Sequence, residues 1–413
     1  MEMTNMNRRS WLTRASLLSL TSGYAPWRAS AAPAALTLPV KGEFPITETQ
    51  TCLDNSRWHP LSNGSVRAVQ QYLDFKARGT PGLSTANQQT KVKEMFAQLI
   101  NARPSEVSFV PSTMVGENLV VNGMDIPRSG GNVVTDGLHF EGSTYLYRTL
   151  EKQGLDLRVV MPRDWRIEMR DMEKVIDNKT KLVALSLVSF VNGFQHDLKA
   201  VCDLAHSHGA YVYADIVQAA GAIPIDVRAS GVDFCACASY KWLMGDMGLG
   251  FMYCREDLLD KVVHRTQYGY RQIKDYADHI FPYDPPNPSA ATWEQMKDAA
   301  SHFEVGTISS TTVAGLSYSL DYLQKLGVNN IHAHNRSLAE RVKKEVPRLG
   351  FEPLTPPDST SQIVSFAVKN PEAVAARLKK ANVVVKVDQH LMRVSPSVYN
   401  DQKDIDQLLN ALS

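Results

Sequence analysis

Cysteine is scarce. The five in 413 residues, Cys52, Cys202, Cys235, Cys237 and Cys254, are odd in number. They show neither metal-ligand spacing with histidines nor the framework of a small disulfide-stapled domain. Cys235 and Cys237 alternate along one apolar run, as small core residues do. No apolar stretch reaches the ~20 residues of a membrane span. Charge of one sign is also lacking: 44 Lys and Arg against 43 Asp and Glu leave a net +1, so nothing attracts nucleic acid or another polyanion. Internal repeats and low-complexity tracts are absent as well. What is present is a chain that is 44% hydrophobic and long enough for a large core and two domains.

The amino terminus reads as an address. Asn7-Arg8-Arg9-Ser10-Trp11-Leu12 resembles a twin-arginine export signal, followed by the modestly apolar stretch from Ala15 to Tyr24 and by Ala29-Ser30-Ala31-Ala32. The expectation is a signal peptide over residues 1–32, cleaved near Ala31, and a periplasmic protein with no stable membrane association after export. Such a route carries folded cargo, so a cofactor bound covalently in the cytoplasm would cross with the protein.

Beyond residue 33 a Pro- and Thr-rich stretch gives way to alternating strand and helix patterns. Val66, Val69, Tyr72 and Leu73 carry helical spacing. Strands are predicted at Val107 to Val110, Asn132 to Thr135, Leu157 to Val160, Lys181 to Val188, Ala210 to Ala214, Val232 to Ala238 and Gly250 to Cys254. Helices begin at Thr113 and run over Asp197 to Ser207. The alternation predicts an α/β fold with a mostly parallel sheet covered on both faces, and a ligand at the carboxyl ends of its strands. Residues 269–289, rich in Tyr, Asp and Pro, predict an irregular lid or binding loop. Helices at Val313 to Leu326, Ala333 to Val346 and Pro371 to Lys380, strands at Gln362 to Val368, Val383 to Val387 and Leu391 to Val394, and a terminal helix complete the chain. The expected division is an N-terminal segment over 33–80, packed on the small domain and the site entrance, a large domain over 81–328 and a small α/β domain over 329–413.

Two apolar runs end in chemistry. Tyr213-Ala214-Asp215-Ile216-Val217-Gln218 closes one strand, and Ser239-Tyr240-Lys241-Trp242 closes another, just before the glycine-rich turn Gly245 to Gly250. A lysine at the end of a buried strand, with an aspartate 26 positions earlier, is what a pyridoxal phosphate enzyme needs. The lysine binds the cofactor as a Schiff base, and the carboxylate keeps the pyridine nitrogen protonated so that the ring draws electrons. A surface lysine and a helix-capping aspartate are the bland alternatives. The apolar flank Phe234 to Ala238 argues against the first.

These motifs, together with Phe303-Glu304-Val305-Gly306-Thr307, resemble the class V aminotransferase family, whose members include cysteine desulfurases, kynureninase and isopenicillin N epimerase-like proteins. The resemblance runs from Cys52-Leu53-Asp54-Asn55 to Tyr399-Asn400. It implies a fold type I architecture: a large domain with a mostly parallel seven-stranded sheet covered by helices, plus a smaller C-terminal α/β domain. It further implies that Lys241 holds the cofactor and then acts as the base, that Asp215 pairs with the ring nitrogen, and that Gln218 reaches the phenolic oxygen. Ser112, Thr113 and Met114, opening a helix after a strand, would cup the phosphate with their amides, with Ser239 and Tyr240 assisting. Thr307 would reach the phosphate in a partner subunit, which implies a homodimer. In Asp136-Gly137-Leu138-His139-Phe140-Glu141 the ring-stacking position falls on Phe140, with His139 one place away. Arg393 matches the clamp for a substrate carboxylate, and Asn55, Arg57 and His59 would approach the site entrance. One departure stands out: Phe190 occupies the place of an asparagine that many members aim at the ring oxygen.

The interval Val387-Asp388-Gln389-His390 has no cysteine, so the persulfide chemistry of a desulfurase is not expected. Transamination, epimerisation and lysis remain open, since all begin at the α-carbon of an amino acid. The expectation is aminotransferase-type action on an amino acid or a peptide-linked amine, tailoring a metabolite. A racemase or lyase is the alternative among enzymes, and a pyridoxal phosphate carrier or sensor without turnover the alternative outside them.

Overall fold

Seven apolar segments form one sheet in the computed structural model, which describes residues 37–79, 85–126 and 128–413. They are β1 (Val107–Val110), β2 (Asn132–Asp136), β3 (Asp156–Val160), β4 (Thr180–Ser186), β5 (Tyr211–Asp215), β6 (Phe234–Ala238) and β7 (Gly250–Cys254), in the spatial order β1-β7-β6-β5-β4-β2-β3. Only β7 runs against its neighbours β1 and β6. The central strands are apolar at successive positions because both faces are covered. Val183, Leu185, Val212, Ala214, Cys235, Cys237 and Phe251 enter one hydrophobic cluster, while Leu182, Ala184, Tyr213, Phe234, Ala236 and Met252 enter another. Burying each large apolar side chain contributes roughly 1.5–3 kcal/mol. All five cysteines are buried and unpaired, as small core residues should be. The expected signal peptide lies outside the described residues. No described helix is long and apolar enough to cross a membrane.

The C-terminal part builds a second core on an antiparallel sheet of Glu352–Pro353, Val364–Ala367, Leu391–Val394 and Lys386–Val387, backed by helices Val328–Glu345, Pro371–Lys380 and Gln402–Leu412. Leu53, from the other end of the chain, belongs to that core. The segment carrying it is zipped on by parallel pairing of Thr51–Cys52 with Val383–Val384 and by a bridge from Asp54 to Ser395. The expected single strand over Val383 to Val387 is therefore two short ones: Val383–Val384 pairs with the N-terminal segment and Lys386–Val387 with Leu391–Val394.

The stretch expected to be irregular is corrected too. Ile273–Asp278 and Ala291–Gln295 pair as an antiparallel ribbon with a register shift between Thr292 and Glu294. Pro282, Pro285, Pro286 and Pro288, which cannot donate to a ladder, all fall in the connection between the two strands. The ribbon is mostly exposed, with Tyr276, Ile280, Phe281, Tyr283 and Trp293 facing outward.

Candidate active site

The carboxyl ends of β1, β2, β4, β5 and β6 deliver Ser112, Phe140, Phe190, Asp215 and Lys241 through the loops that follow them. After β6 the backbone must turn sharply, and hydrogen bonds fix how. Ser239 Oγ donates toward the carbonyls of Asp246 and Leu249, at 2.7 and 2.8 Å. The Gly245 N–H donates back to Ser239, and the Met244 N–H to Lys241. Trp242 is buried and its indole N–H donates to Gln218 Oε1 at 2.9 Å, while Gln218 Nε2 donates to the Ser56 carbonyl at 3.0 Å. Gly221 supports the turn from below: its φ is +93° and a Cβ there would stand 2.4 Å from the Trp242 carbonyl oxygen, so no other residue fits.

Lys241 is thereby held in the cleft with 8% of its surface exposed. Burial brings its ammonium down to about 8, Arg393 adds to the effect and Asp215 works against it. Asp215 is buried at the end of β5 and accepts the Val217 N–H at 2.8 Å. Burial raises its carboxyl to about 6, against the pull of that hydrogen bond, His139 and Lys241. It is still ionised at neutral pH.

Of the two candidates for the ring face, Phe140 lines the cleft and His139 is turned inward. The His139 Nδ1 lies 2.8 Å from Ser186 Oγ and its Nε2 3.2 Å from Glu117 Oε1. Desolvation opposes a charge on this imidazole, yet Glu117 and Asp136 raise its affinity for a proton above the ordinary value. Glu117 also accepts from Ser143 Oγ at 2.6 Å. This buried network was not legible in the sequence, because a glutamate inside a helix reads as surface. Phe190, the departure at the asparagine position, lines the cleft and meets Phe140 edge-on at 5.4 Å.

At the start of helix Thr113–Gly123, Ser112 caps by accepting the Val115 N–H at 3.2 Å. The amides of Thr113 and Met114 have no acceptor within the helix, as the geometry of any first turn requires. The Thr113 hydroxyl accepts the Ala238 N–H at 3.0 Å, tying this helix to the strand that carries Lys241. Thr307 is not in the cleft. It is exposed, 3.3 Å from the Tyr270 hydroxyl, and lines a separate depression with Pro111, Val115 and Gly248.

The opposite end of the cleft is assembled from three distant segments. The Arg393 guanidinium, 3% exposed, donates to the Phe190 carbonyl at 2.7 Å and stands 3.5 Å from Asp54 Oδ1. Its Nε has no hydrogen-bond partner, and neither has Asp54 Oδ1. Asn55 and His59, expected near the entrance, are both buried away from the cleft. Asn55 donates to the Ser395 carbonyl at 2.8 Å and accepts from Tyr399, while His59 pairs with Ser397 Oγ at 2.8 Å and with the Pro60 carbonyl at 2.9 Å. Burial lowers His59 to about 4, so it is neutral. Their neighbours Asp54, Ser56 and Arg57 face the cleft instead, with Glu141, Lys386 and Asp388.

The whole cleft encloses about 540 Å³ and joins Phe140, Gln218, Tyr240, Lys241 and Arg393. A buried amine, a buried carboxylate behind it and an aromatic wall fit pyridoxal phosphate, and the nearby helix start has amides free for its phosphate. The unpaired edge of Arg393 suits a carboxylate.

Comparison with known proteins agrees. The family model of aminotransferase class-V matches residues 65–408. A probable cysteine desulfurase from Methanothermobacter thermautotrophicus is 27% identical over 365 residues, 86% of this chain and 88% of that protein. Among solved structures, a cysteine desulfurase from Thermococcus onnurineus superposes with a TM-score of 0.80 at 23% identity, covering 92% of this chain and 98% of that one. A C-DES variant with glycine covalently linked to its PLP cofactor gives 0.78 at 20% identity, over 91% and 99%.

Proposed function

Because the chain belongs to the aminotransferase class-V family of pyridoxal phosphate enzymes, we propose that it acts on the amino group of an amino acid or a peptide-linked amine by aminotransferase-type chemistry, as an exported homodimer that tailors a metabolite. The observation that carries this reading is the cleft itself. Lys241 stands at one end, with the buried Asp215 close enough to act on its charge, Arg393 offers an unpaired guanidinium edge at the other, and no cysteine lines the cleft between them.

Bound through Lys241, pyridoxal phosphate supplies an electron sink for a bond broken at the substrate's α-carbon. The protein's own groups do the rest. Arg393 would fix the substrate by its carboxylate and so orient its α-carbon toward the Lys241 amine, in a cleft that Phe140 walls on one side. Asp215, ionised above about pH 6, favours a proton on the ring nitrogen. Once displaced by substrate, the Lys241 amine can take and return the α-proton near neutrality, because its value of about 8 leaves about a tenth of it unprotonated at pH 7, far more than an ordinary lysine. Gln218, held by Trp242 and Ser56, keeps one amide N–H for the ring oxygen.

Persulfide transfer needs a thiolate that meets the substrate. All five cysteines here are buried, and burial, reinforced by Asp215, pushes the Cys237 thiol far up. That favours an aminotransferase-type outcome over the desulfurase activity named for its relatives. The homodimer accounts for Thr307, which lies outside its own chain's cleft and so is available to a second copy. Arg8 and Arg9 support export to the periplasm; with Arg8→Lys and Arg9→Lys together, fractionation should find the protein retained in the cytoplasm.

The test is an absorbance scan of the purified protein with candidate amino donors, followed by mass analysis. Transamination is expected to change the spectrum and replace the amino group by a keto or aldehyde group. Nitrogen retained with chirality lost would identify an epimerase instead, and a cleaved carbon chain a lyase. A spectrum that no amine alters would mean a carrier and overturn the reading.

A further inference from the structure

Arg393 is already half engaged. Its only ionic partner among the described residues is Asp54, 3.5 Å away, too far for a hydrogen bond. Both groups are buried, yet Asp54 Oδ1 and Arg393 Nε each lack a partner. A buried ion pair normally closes to hydrogen-bond distance, since leaving either atom unsatisfied is costly. Backbone constraints hold this one open. Asp54 is bridged to Ser395, and Arg393 is pinned by its cross-strand pairing with Ser365 and Lys386 and by its bond to the Phe190 carbonyl. Both side chains line the same cleft.

We propose that Asp54 is the resident counter-ion of the carboxylate clamp, a positioning residue that must yield Arg393 to an incoming substrate carboxylate and that takes up a proton as it does so. The inference rests on the reading that Arg393 binds that carboxylate. A second carboxylate brought against the same guanidinium disfavours the ionised form of the first. The charged groups around Asp54 are Arg393 and Lys386 on the two paired strands, Arg57 on its own segment and Lys241 across the cleft, while Glu141 and Asp388 add negative charge to the lining. Burial already raises the Asp54 carboxyl despite its cationic neighbours, so it is the group that protonates. Binding an acid is then coupled to proton uptake, and the preference for acids over plain amines weakens as pH rises.

The experiment uses the purified holoprotein and two amines differing only in the carboxylate, 2-aminoisobutyrate and isopropylamine, titrated by absorbance between pH 5.5 and 8.5. Taking the ratio of their dissociation constants cancels the shared pH dependence of amine binding. In the native protein the preference for 2-aminoisobutyrate should fall roughly tenfold across this range, a typical coupling between linked sites. Asp54→Asn should abolish that slope and hold the preference at its low-pH value. Arg57→Gln, which leaves Asp54 in place, should move the midpoint upward. A native ratio that does not vary with pH, or an Asp54→Asn variant whose preference drops equally at every pH, would overturn the proposal and leave Asp54 a structural partner of Arg393. If no amine, these two included, changes the spectrum, the proposed function fails and takes this inference with it.

Discussion

The two ends of the cleft are built differently. At the lysine end, a single stretch from Phe234 to Gly250 supplies strand, turn and the buried Lys241 amine, and its polar groups are paired: Ser239 with the turn carbonyls, Trp242 with Gln218, Thr113 with Ala238. At the arginine end, Asp54, Phe190 and Arg393 converge from three parts of the chain, and two buried atoms are left without hydrogen bonds. The first end is preorganised around a cofactor that stays. The second, in the proposed reading, keeps unsatisfied groups for a substrate that comes and goes, and it carries the cost of those groups in the free protein.

The strongest test of this contrast is Lys241→Ala, which should abolish the cofactor's visible absorbance band and cut turnover by about a thousandfold or more. A band that survived would place the cofactor on another lysine. Arg393→Gln should act at the other end only, raising KM for a carboxylate substrate by roughly 10- to 100-fold with kcat much less affected, because a charge-assisted pair is worth about 1.5–3 kcal/mol. An equal loss in kcat would show that the two ends are not separable.

Stability should move in the opposite direction to activity. The folded chain holds the Lys241 proton at about 8 against an ordinary 10.5, so folding disfavours the ammonium. Below pH 8 that handicap is fully present, it shrinks as pH rises from 8, and it is gone near 10.5. Cofactor-free Lys241→Met should accordingly be more stable than the cofactor-free native chain by about 2–3 kcal/mol at pH 7. Urea unfolding at pH 7 and pH 10 checks both size and sign; a gain that did not shrink at pH 10 would assign it to packing instead. The smallest effect is expected from Phe190→Asn, which removes one edge-on aromatic contact worth about 0.5–1.5 kcal/mol. Its rate should change by less than about tenfold, measured with the best donor found.

The lysine end was legible from sequence because its signals are local: an apolar strand, a polar turn and glycines whose φ or close contacts exclude other residues. Phe140 rather than His139 at the cleft wall followed from aligning on the preceding strand. The Asp54–Arg393 pair was not legible, since nothing local in Leu53-Asp54-Asn55 says that its carboxylate meets a strand near the other terminus. The same loss of range put Asn55 and His59 at the entrance beside Arg57, whereas the chain turns only Arg57 of the three toward the cleft, with Asp54 and Ser56. Residues 55–57 form a turn there, so which side chains face the cleft is set by contacts with distant segments and not by strand alternation. Residues 269–289 were read as irregular because their prolines dominate the composition, although those prolines sit only in the connection between two paired strands.

By itself, then, the order of residues determined the layered α/β architecture, the strand ends and the lysine and aspartate that close two of them, since periodicity and strand-end chemistry act over a few residues. Only the tertiary structure decided which polar groups face the cleft, that Glu117 and His139 form a buried pair behind it, and that Arg393 is shared with Asp54. Those outcomes depend on the burial and separation of groups far apart in the chain, and desolvation and Coulomb forces respond to distance in space.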